Sequence, residues 1–223
     1  RDPGQRLNNE PHRMRQSLEE SLTRLGVDAI DLYYVHRRDV RFEIEEVTQT
    51  MADFVKEGKV KAIGYSEIAP SSLRRAHAVH PIAAVQSEYS LSTRAPELGL
   101  NQTCAELGAT MVAFSPVGRS LLTDRPLPLD VCKELGWVKD NPRFQEPNYS
   151  ANMAYNAKFR ELAADMGTSA AALAIAWVLA QGEQFIAIPG TRKVEHLKEA
   201  VAGASLDLSQ EALDRIEEVL PVG

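Results

Sequence analysis

The residues best equipped for chemistry recur at one kind of place, just after a short apolar run. In YYVHRRD, His36 follows such a run; an imidazole there can donate to a carbonyl oxygen or exchange a proton near neutral pH. It could equally cap the backbone or pair with Asp39. GYSEIAP ends a second run with Ser66 and Glu67, and VQSEYS carries Gln86 and Tyr89. Serine and glutamine side chains both donate and accept, so they can satisfy an amide such as a nicotinamide carboxamide. Ser66 and Glu67 also have the chemistry that merely opens a loop.

Two further motifs suit anions. AFSPVGRS offers the ring of Phe114, backbone and hydroxyl groups at Ser115, Gly118 and Ser120, and the cation Arg119. A planar ring could stack on Phe114 and a pyrophosphate could sit in the loop; alternatively Phe114 is core and SPVG a tight turn. IAIPGTRKVEHLKEA brings Gly190, Thr191, Arg192 and Lys193 to the start of a helix. Main-chain amides, helix dipole and two cations converge there as a phosphate site, unless they form only a solvated helix start.

The elements that must position these groups are legible as periodicity. Met14, Leu18, Leu22 and Leu25 recur at helical spacing and Gly26 stops the run. The spacing then predicts a strand near residue 30, a helix over 44–55 closing at Gly58, and a strand over 60–63. A helix capped by Ser71 and Ser72, a strand at 83–85, a helix over 98–107 ended by Gly108 and a strand at 111–114 follow. Each unit takes roughly 25 to 35 residues, the βαβ spacing of a parallel sheet. Leu121–Ser150, with prolines at 126, 128, 142 and 147, reads as a long functional loop in which Trp137, Phe144 and Tyr149 stand out. Helices are expected over 152–166 and 169–181, a strand at 185–188, a helix over 194–201 and a capped final helix over 209–220.

Charge and composition narrow the classes. A formal charge of -6, with no long basic run, argues against a nucleic-acid surface. Cys104 and Cys132 lack metal-type spacing and are too few for a disulfide framework, which fits a reducing cytoplasm. The apolar stretch Ala170–Ala180 is too short to span a bilayer. A doubly wound dinucleotide-binding sheet is disfavoured because no GxGxxG turn follows a strand.

The ordered set YYVHRRD, GYSE, QSEYS, FSPVGRS and IPGTRKVEHL resembles the aldo-keto reductase family, over residues 1–223. The resemblance implies an α/β fold, a (β/α)8 TIM barrel in one domain over residues 1–223. About three of its βα units, roughly 90 residues, would be absent from this chain. It implies an NADPH-dependent oxidoreductase reducing aldehydes or ketones by transfer of the pro-R hydride, acting on a small-molecule carbonyl substrate, with no nucleic-acid or membrane partner. His36 matches the histidine that polarises the substrate carbonyl, and Ser66 and Gln86 match carboxamide ligands. Glu67 stands where many members have asparagine. Phe114 matches the ring that stacks on nicotinamide, and Ser115, Val117, Gly118 and Arg119 match the pyrophosphate loop. Gly190, Thr191, Arg192 and Lys193 match the surroundings of the adenosine 2'-phosphate. His196 falls where arginine or glutamine is common, Glu199 matches an adenine contact, and Ala200 replaces a frequent asparagine.

The family's catalytic aspartate, tyrosine and lysine belong to its first three strand-helix units, and no tyrosine here carries over onto the acid position. Tyr33, Tyr34, Tyr65 and Tyr89 belong to later strands. The expectation is therefore a chain preceded by those units in the complete enzyme, since a barrel without three strands leaves two unpaired edges. Two rivals stand beside it: a non-catalytic NADPH-binding subunit or redox sensor, and a phosphate-binding isomerase or lyase barrel. Substrate identity and oligomeric state are not written in these motifs.

Overall fold

A computed structural model describes residues 7–136 and 138–221 of the chain. In chain order its elements begin α1 (Pro11–Leu25), β1 (Ile30–Val35), α2 (Ile44–Lys56), β2 (Val60–Ser66), α3 (Pro70–Val79), β3 (Ala84–Glu88), α4 (Leu100–Leu107) and β4 (Thr110–Phe114). They continue with α5 (Leu129–Glu134), α6 (Asn148–Asp165), α7 (Ala170–Leu179), β5 (Phe185–Ile188), α8 (Val194–Ala204) and α9 (Gln210–Val219). Short 3-10 turns lie at Ala95–Leu98, Gly118–Ser120 and Pro142–Phe144. The expected elements are present, and the strands form one sheet in the order β1-β2-β3-β4-β5. The first ladders are parallel: Ile30 pairs with Val60, Val35 with Tyr65, Gly64 with Ala84 and Ser66 with Gln86. Helical crossovers between parallel neighbours are what such pairing requires, and successive βα units of this kind are those of a (β/α)8 barrel.

Two compact units divide the chain. One comprises Arg1–Ser87 and Pro96–Val112, the other Glu88–Ala95 and Ala113–Gly223, so that β4 begins in the first and ends in the second. In the first unit, α1 buries Met14, Leu18 and Leu22, one stripe at four-residue spacing, and ends where Gly26 turns left-handed at φ 67°. Helix α2 buries Ile44, Val47, Met51 and Phe54. Gly64 in β2 is required for contact rather than for a turn: a Cβ there would lie 2.6 Å from the Tyr34 ring and 2.7 Å from the Ala84 carbonyl.

In the second unit α7 is buried along nearly its whole length, with Leu173, Ala174 and Val178 fully enclosed. Among the described residues no single helix is long and apolar enough to cross a membrane. Ser169 and Ser209 each accept an N–H of the first turn, capping α7 and α9 as their sequences predict.

Three expectations need correction. Helix α3 is not capped by Ser71 or Ser72: Pro70 fixes the helical φ at the first position, Ala69 becomes the N-cap and both serines fall inside the first turn. Helix α6 starts at Asn148, one turn earlier than the periodicity indicates. The stretch 121–150 is not an open loop. It folds around its own cluster of Leu121, Cys132, Val138, Phe144 and Tyr149, with Leu127, Leu129, Leu135 and Met153 against it. Burial of these scattered apolar residues offsets the cost of ordering a long connection. Phe144 and Tyr149 are therefore structural, Tyr149 also donating to the Leu127 carbonyl at 2.8 Å; Trp137 lies outside the described residues.

Candidate functional site

In the first unit the polar candidates form a row at the carboxyl ends of β1 and β2, continued by the level residue inside β3; the carboxyl ends are the face on which barrel enzymes work. The ladder pairs Val35 of β1 with Tyr65 of β2, so the next residues along, His36 and Ser66, follow side by side. Ser66 in turn is the register partner of Gln86 on β3. The His36 side chain is exposed, Ser66 is buried and Gln86 is half-buried. The guanidinium of Arg37 ties the row together: one of its nitrogens donates to the His36 carbonyl at 2.7 Å and to Ser66 Oγ at 2.8 Å. Because Ser66 accepts in that bond, its own hydroxyl proton is left to donate.

Glu67 closes the row under backbone strain. Its φ is 55°, left-handed and disfavoured for a residue with a Cβ. Two bonds hold it there: its N–H donates to the Gln86 carbonyl at 2.9 Å, and its carboxylate accepts from Ser87 Oγ at 2.9 Å. Asp39, the alternative partner for His36, is engaged by Arg41, whose guanidinium holds its carboxyl below the usual range.

Tyr65 and Tyr89 serve packing. Thr48 gives its only hydroxyl proton to the Ile44 carbonyl at 2.7 Å, so in the 2.7 Å contact with Tyr65 the phenol is the donor. Burial pushes the Tyr65 phenol up to about 12, which keeps it neutral at physiological pH. Tyr89 was a candidate at the end of β3. It is instead a core residue of the second unit, its ring 5.4 Å from Trp177 and 5.5 Å from Phe185. The reason is the pleat: one residue past the strand the chain turns inward and its apolar ring follows. Cys104 is likewise inert, burial pushing its thiol up to about 11.

The second unit holds the anion-directed motifs. Phe114 ends β4 half-buried, and its carbonyl accepts from the Tyr89 N–H at 3.3 Å. Past it the chain enters an unusual run: Ser115, Gly118, Arg119 and Ser120 have φ of 53°, 57°, 55° and 85°. Only glycine adopts this region without cost, and successive turns of this sort aim main-chain N–H groups into one concavity. The Val117 carbonyl accepts from Ser120 and Leu122, and Gly118 donates to the Ser115 carbonyl, so the loop is internally closed.

Arg119, matched to a pyrophosphate site by its motif, engages a carboxylate that the sequence did not single out. Its Nη2 lies 2.8 Å from Glu88 Oε2, and Nη1 of Arg143 lies 2.8 Å from Oε1 of the same residue. Thr93 Oγ1 adds a bond at 3.3 Å. Burial pushes the Glu88 carboxyl up, but the two guanidinium groups outweigh it and hold the group below its ordinary value.

After β5, Gly190, Thr191, Arg192 and Lys193 are exposed before and at the start of α8. Thr191 Oγ1 donates to the Lys193 carbonyl at 3.0 Å and accepts the Lys193 N–H at 3.2 Å, a turn that sets the helix entry. Lys193, the N-cap, makes no side-chain cap, so the positive helix end lies beside two exposed cations. His196 is exposed and Glu199 half-buried, with Arg125 at 3.9 Å from its carboxylate.

Known proteins share this framework. A family model described as "Aldo/keto reductase family" matches residues 1–221. "Aldo-keto reductase str7" of Strobilurus tenacellus is 40% identical over 218 residues, 96% of this chain and 65% of its own length. The yakc aldo-keto reductase of Schizosaccharomyces pombe, whose name carries NADP(+), is 38% identical over 95% of this chain and 63% of its own. The solved glycerol dehydrogenase AKR11B4 from Gluconobacter oxydans superposes with a TM-score of 0.85 at 29% identity, covering 96% of this chain and 65% of that one. The chain thus spans somewhat less than two-thirds of the length of the relatives it matches.

Proposed function

The chain belongs to the aldo-keto reductase family, and on that footing we propose that it is the carbonyl-orienting and coenzyme-binding part of an oxidoreductase that uses NADPH to reduce an aldehyde or ketone to the alcohol. In this reading residues 1–223 belong to one barrel domain. The observation that carries it is the row His36, Ser66 and Gln86 on adjacent strands, with Arg37 tying His36 to Ser66. An exposed imidazole beside a buried hydroxyl and a half-buried amide is a donor set suited to one carbonyl and one carboxamide. The NADP(+) in the name of the fission-yeast relative supports the choice of coenzyme.

When bound, the coenzyme supplies the hydride. Every other contribution belongs to side chains of this chain. His36 donates to the carbonyl oxygen and stabilises the charge that grows there as the alcohol forms. Ser66 and Gln86 orient the carboxamide, with Arg37 fixing the serine rotamer; Glu67 sets the course of the chain past them. In the second unit Phe114 offers a ring face, and the loop of Ser115, Val117, Gly118 and Arg119 takes the diphosphate. Gly190, Thr191, Arg192, Lys193, His196 and Glu199 take the adenosine end, the two cations favouring a 2'-phosphate. Tyr65 and Tyr89 are committed to the core and supply no proton in this scheme.

The test separates orientation from binding. His36→Ala should lower turnover by about 100-fold or more, the scale of a lost transition-state donor, while NADPH affinity by fluorescence titration stays within about two-fold. Equal loss of turnover and affinity would remove His36 from the role assigned to it.

A further inference from the structure

The motif that ends β3 holds a charge that the scheme above does not use. Glu88 is the common acceptor of two guanidinium groups from separate segments later in the chain, Arg119 from the left-handed loop after β4 and Arg143 from the turn Pro142–Phe144. All three side chains are mostly buried, at 13%, 23% and 21% exposure. Arg143 is itself fixed by its surroundings. Its N–H donates to Asn141 Oδ1 at 3.1 Å and its carbonyl accepts from Asn152 at 3.0 Å, while neighbouring Phe144 is buried in the apolar cluster of this segment.

We propose that Glu88 and Arg143 are positioning residues for the loop Ser115–Ser120, holding Arg119 so that the loop meets the coenzyme diphosphate with its main-chain amides while the Arg119 guanidinium stays on Glu88. Arg119 sits at φ 55°, a conformation a residue with a Cβ leaves unless something holds it. Glu88 holds it through contacts at 2.8 Å and 3.4 Å. A lone carboxylate in so little solvent would drift toward its neutral form, losing its grip. Arg143 is the second cation that keeps it ionised and fixes its orientation, so the folded segment 121–150 acts on the loop through one carboxylate. The proposal rests on the diphosphate reading of that loop, but its structural half does not.

The experiment compares Glu88→Gln, Arg143→Gln and Arg143→Lys in the protein carrying this chain. Amide hydrogen exchange over Ser115–Leu122 without coenzyme should speed up in the two Gln variants and return toward the parent rate in Arg143→Lys. NADPH dissociation constants should rise about ten-fold or more in both Gln variants, the scale of a lost charge-assisted hydrogen bond. Turnover at saturating NADPH should remain within about two-fold, since no reacting group has moved. Unchanged exchange in Glu88→Gln would overturn the positioning role whatever the coenzyme does. Tighter NADPH binding in Glu88→Gln would overturn it too, because a released Arg119 side chain would then be the anion ligand. Faster exchange in a protein that binds no NADPH even in its parent form would leave the positioning role standing and sink the coenzyme reading instead.

Discussion

At the residue scale, single backbone and side-chain states decide what the motifs can do. Glu67 is the clearest case, because its strain can be separated from its chemistry. Glu67→Ala and Glu67→Gly both remove the carboxylate that Ser87 holds, but only glycine is at ease at φ 55°. After subtracting the greater unfolded-state entropy of glycine, Glu67→Gly should be more stable than Glu67→Ala by about 0.5–1 kcal/mol. Paired denaturation curves would show this, and the reverse order would mean the left-handed backbone is not strained. Glu88 gives a pH prediction. Its carboxyl titrates lower in the folded state than the ordinary value of 4.5. The stability it contributes is therefore complete above that value and lost as the pH falls through the lowered folded one. Glu88→Gln should cost up to about 3 kcal/mol at neutral pH, by leaving two buried guanidinium groups uncompensated. The gap from the parent should close in denaturation titrations as the pH falls below the ordinary carboxylate range and through the lowered folded value. A gap independent of pH would mean Glu88 is not held ionised.

At the element scale, close approach between helices fixes where α8 sits within its unit. Helix α8 carries Gly203, where a Cβ would lie 2.6 Å from the Ala172 carbonyl and 3.0 Å from Ile175 Cβ of α7. Backbone cannot retreat as a flexible side chain would, so Gly203→Ala must push the two helices apart despite its better helix propensity. A loss of about 1–3 kcal/mol is expected by chemical denaturation, whereas a gain would show that the contact relaxes freely. The same scale explains the segment 121–150. Its helix α5 has only six residues and would not persist alone; it is stabilised by the cluster around Cys132 and Phe144. The segment therefore belongs to the packed structure of its unit, and Arg143 is presented by a fixed frame.

At the scale of the whole chain, the net charge repels any anionic ligand. The chain carries -6 at neutral pH, so in the proposed reading attraction of a 2'-phosphate falls to local cations, Arg192 and Lys193, which are exposed beside a helix start. Replacing both by alanine should weaken NADPH by about ten-fold or more and leave NADH nearly unchanged. The decline of NADPH affinity with added salt should flatten in the same variant. Equal losses for the two coenzymes would move the phosphate site elsewhere.

The sequence by itself determined the order of strands and helices, the strand-end positions of His36, Ser66 and Phe114, and the family; Gln86 lies inside β3, two residues short of its end. Those features are written in local periodicity, glycine and serine punctuation, and motifs a few residues long, where each signal concerns neighbours along the chain. It also determined the caps at Ser169 and Ser209, but not that at Ala69, because Pro70 overrode the serines through its fixed φ. Only the tertiary structure decided which polar groups hold one another. Arg37 reaches Ser66 across 29 residues, and Glu88 reaches Arg119 across 31 and Arg143 across 55. No local pattern encodes such pairings, since any exposed carboxylate and arginine look alike in sequence until burial makes one partner obligatory. The inward turn of Tyr89, the folding of residues 121–150 and the left-handed run from Ser115 to Ser120 belong to the same class. Each is a local choice imposed by distant packing, and the candidate site was legible as a set of residue types long before its working contacts were.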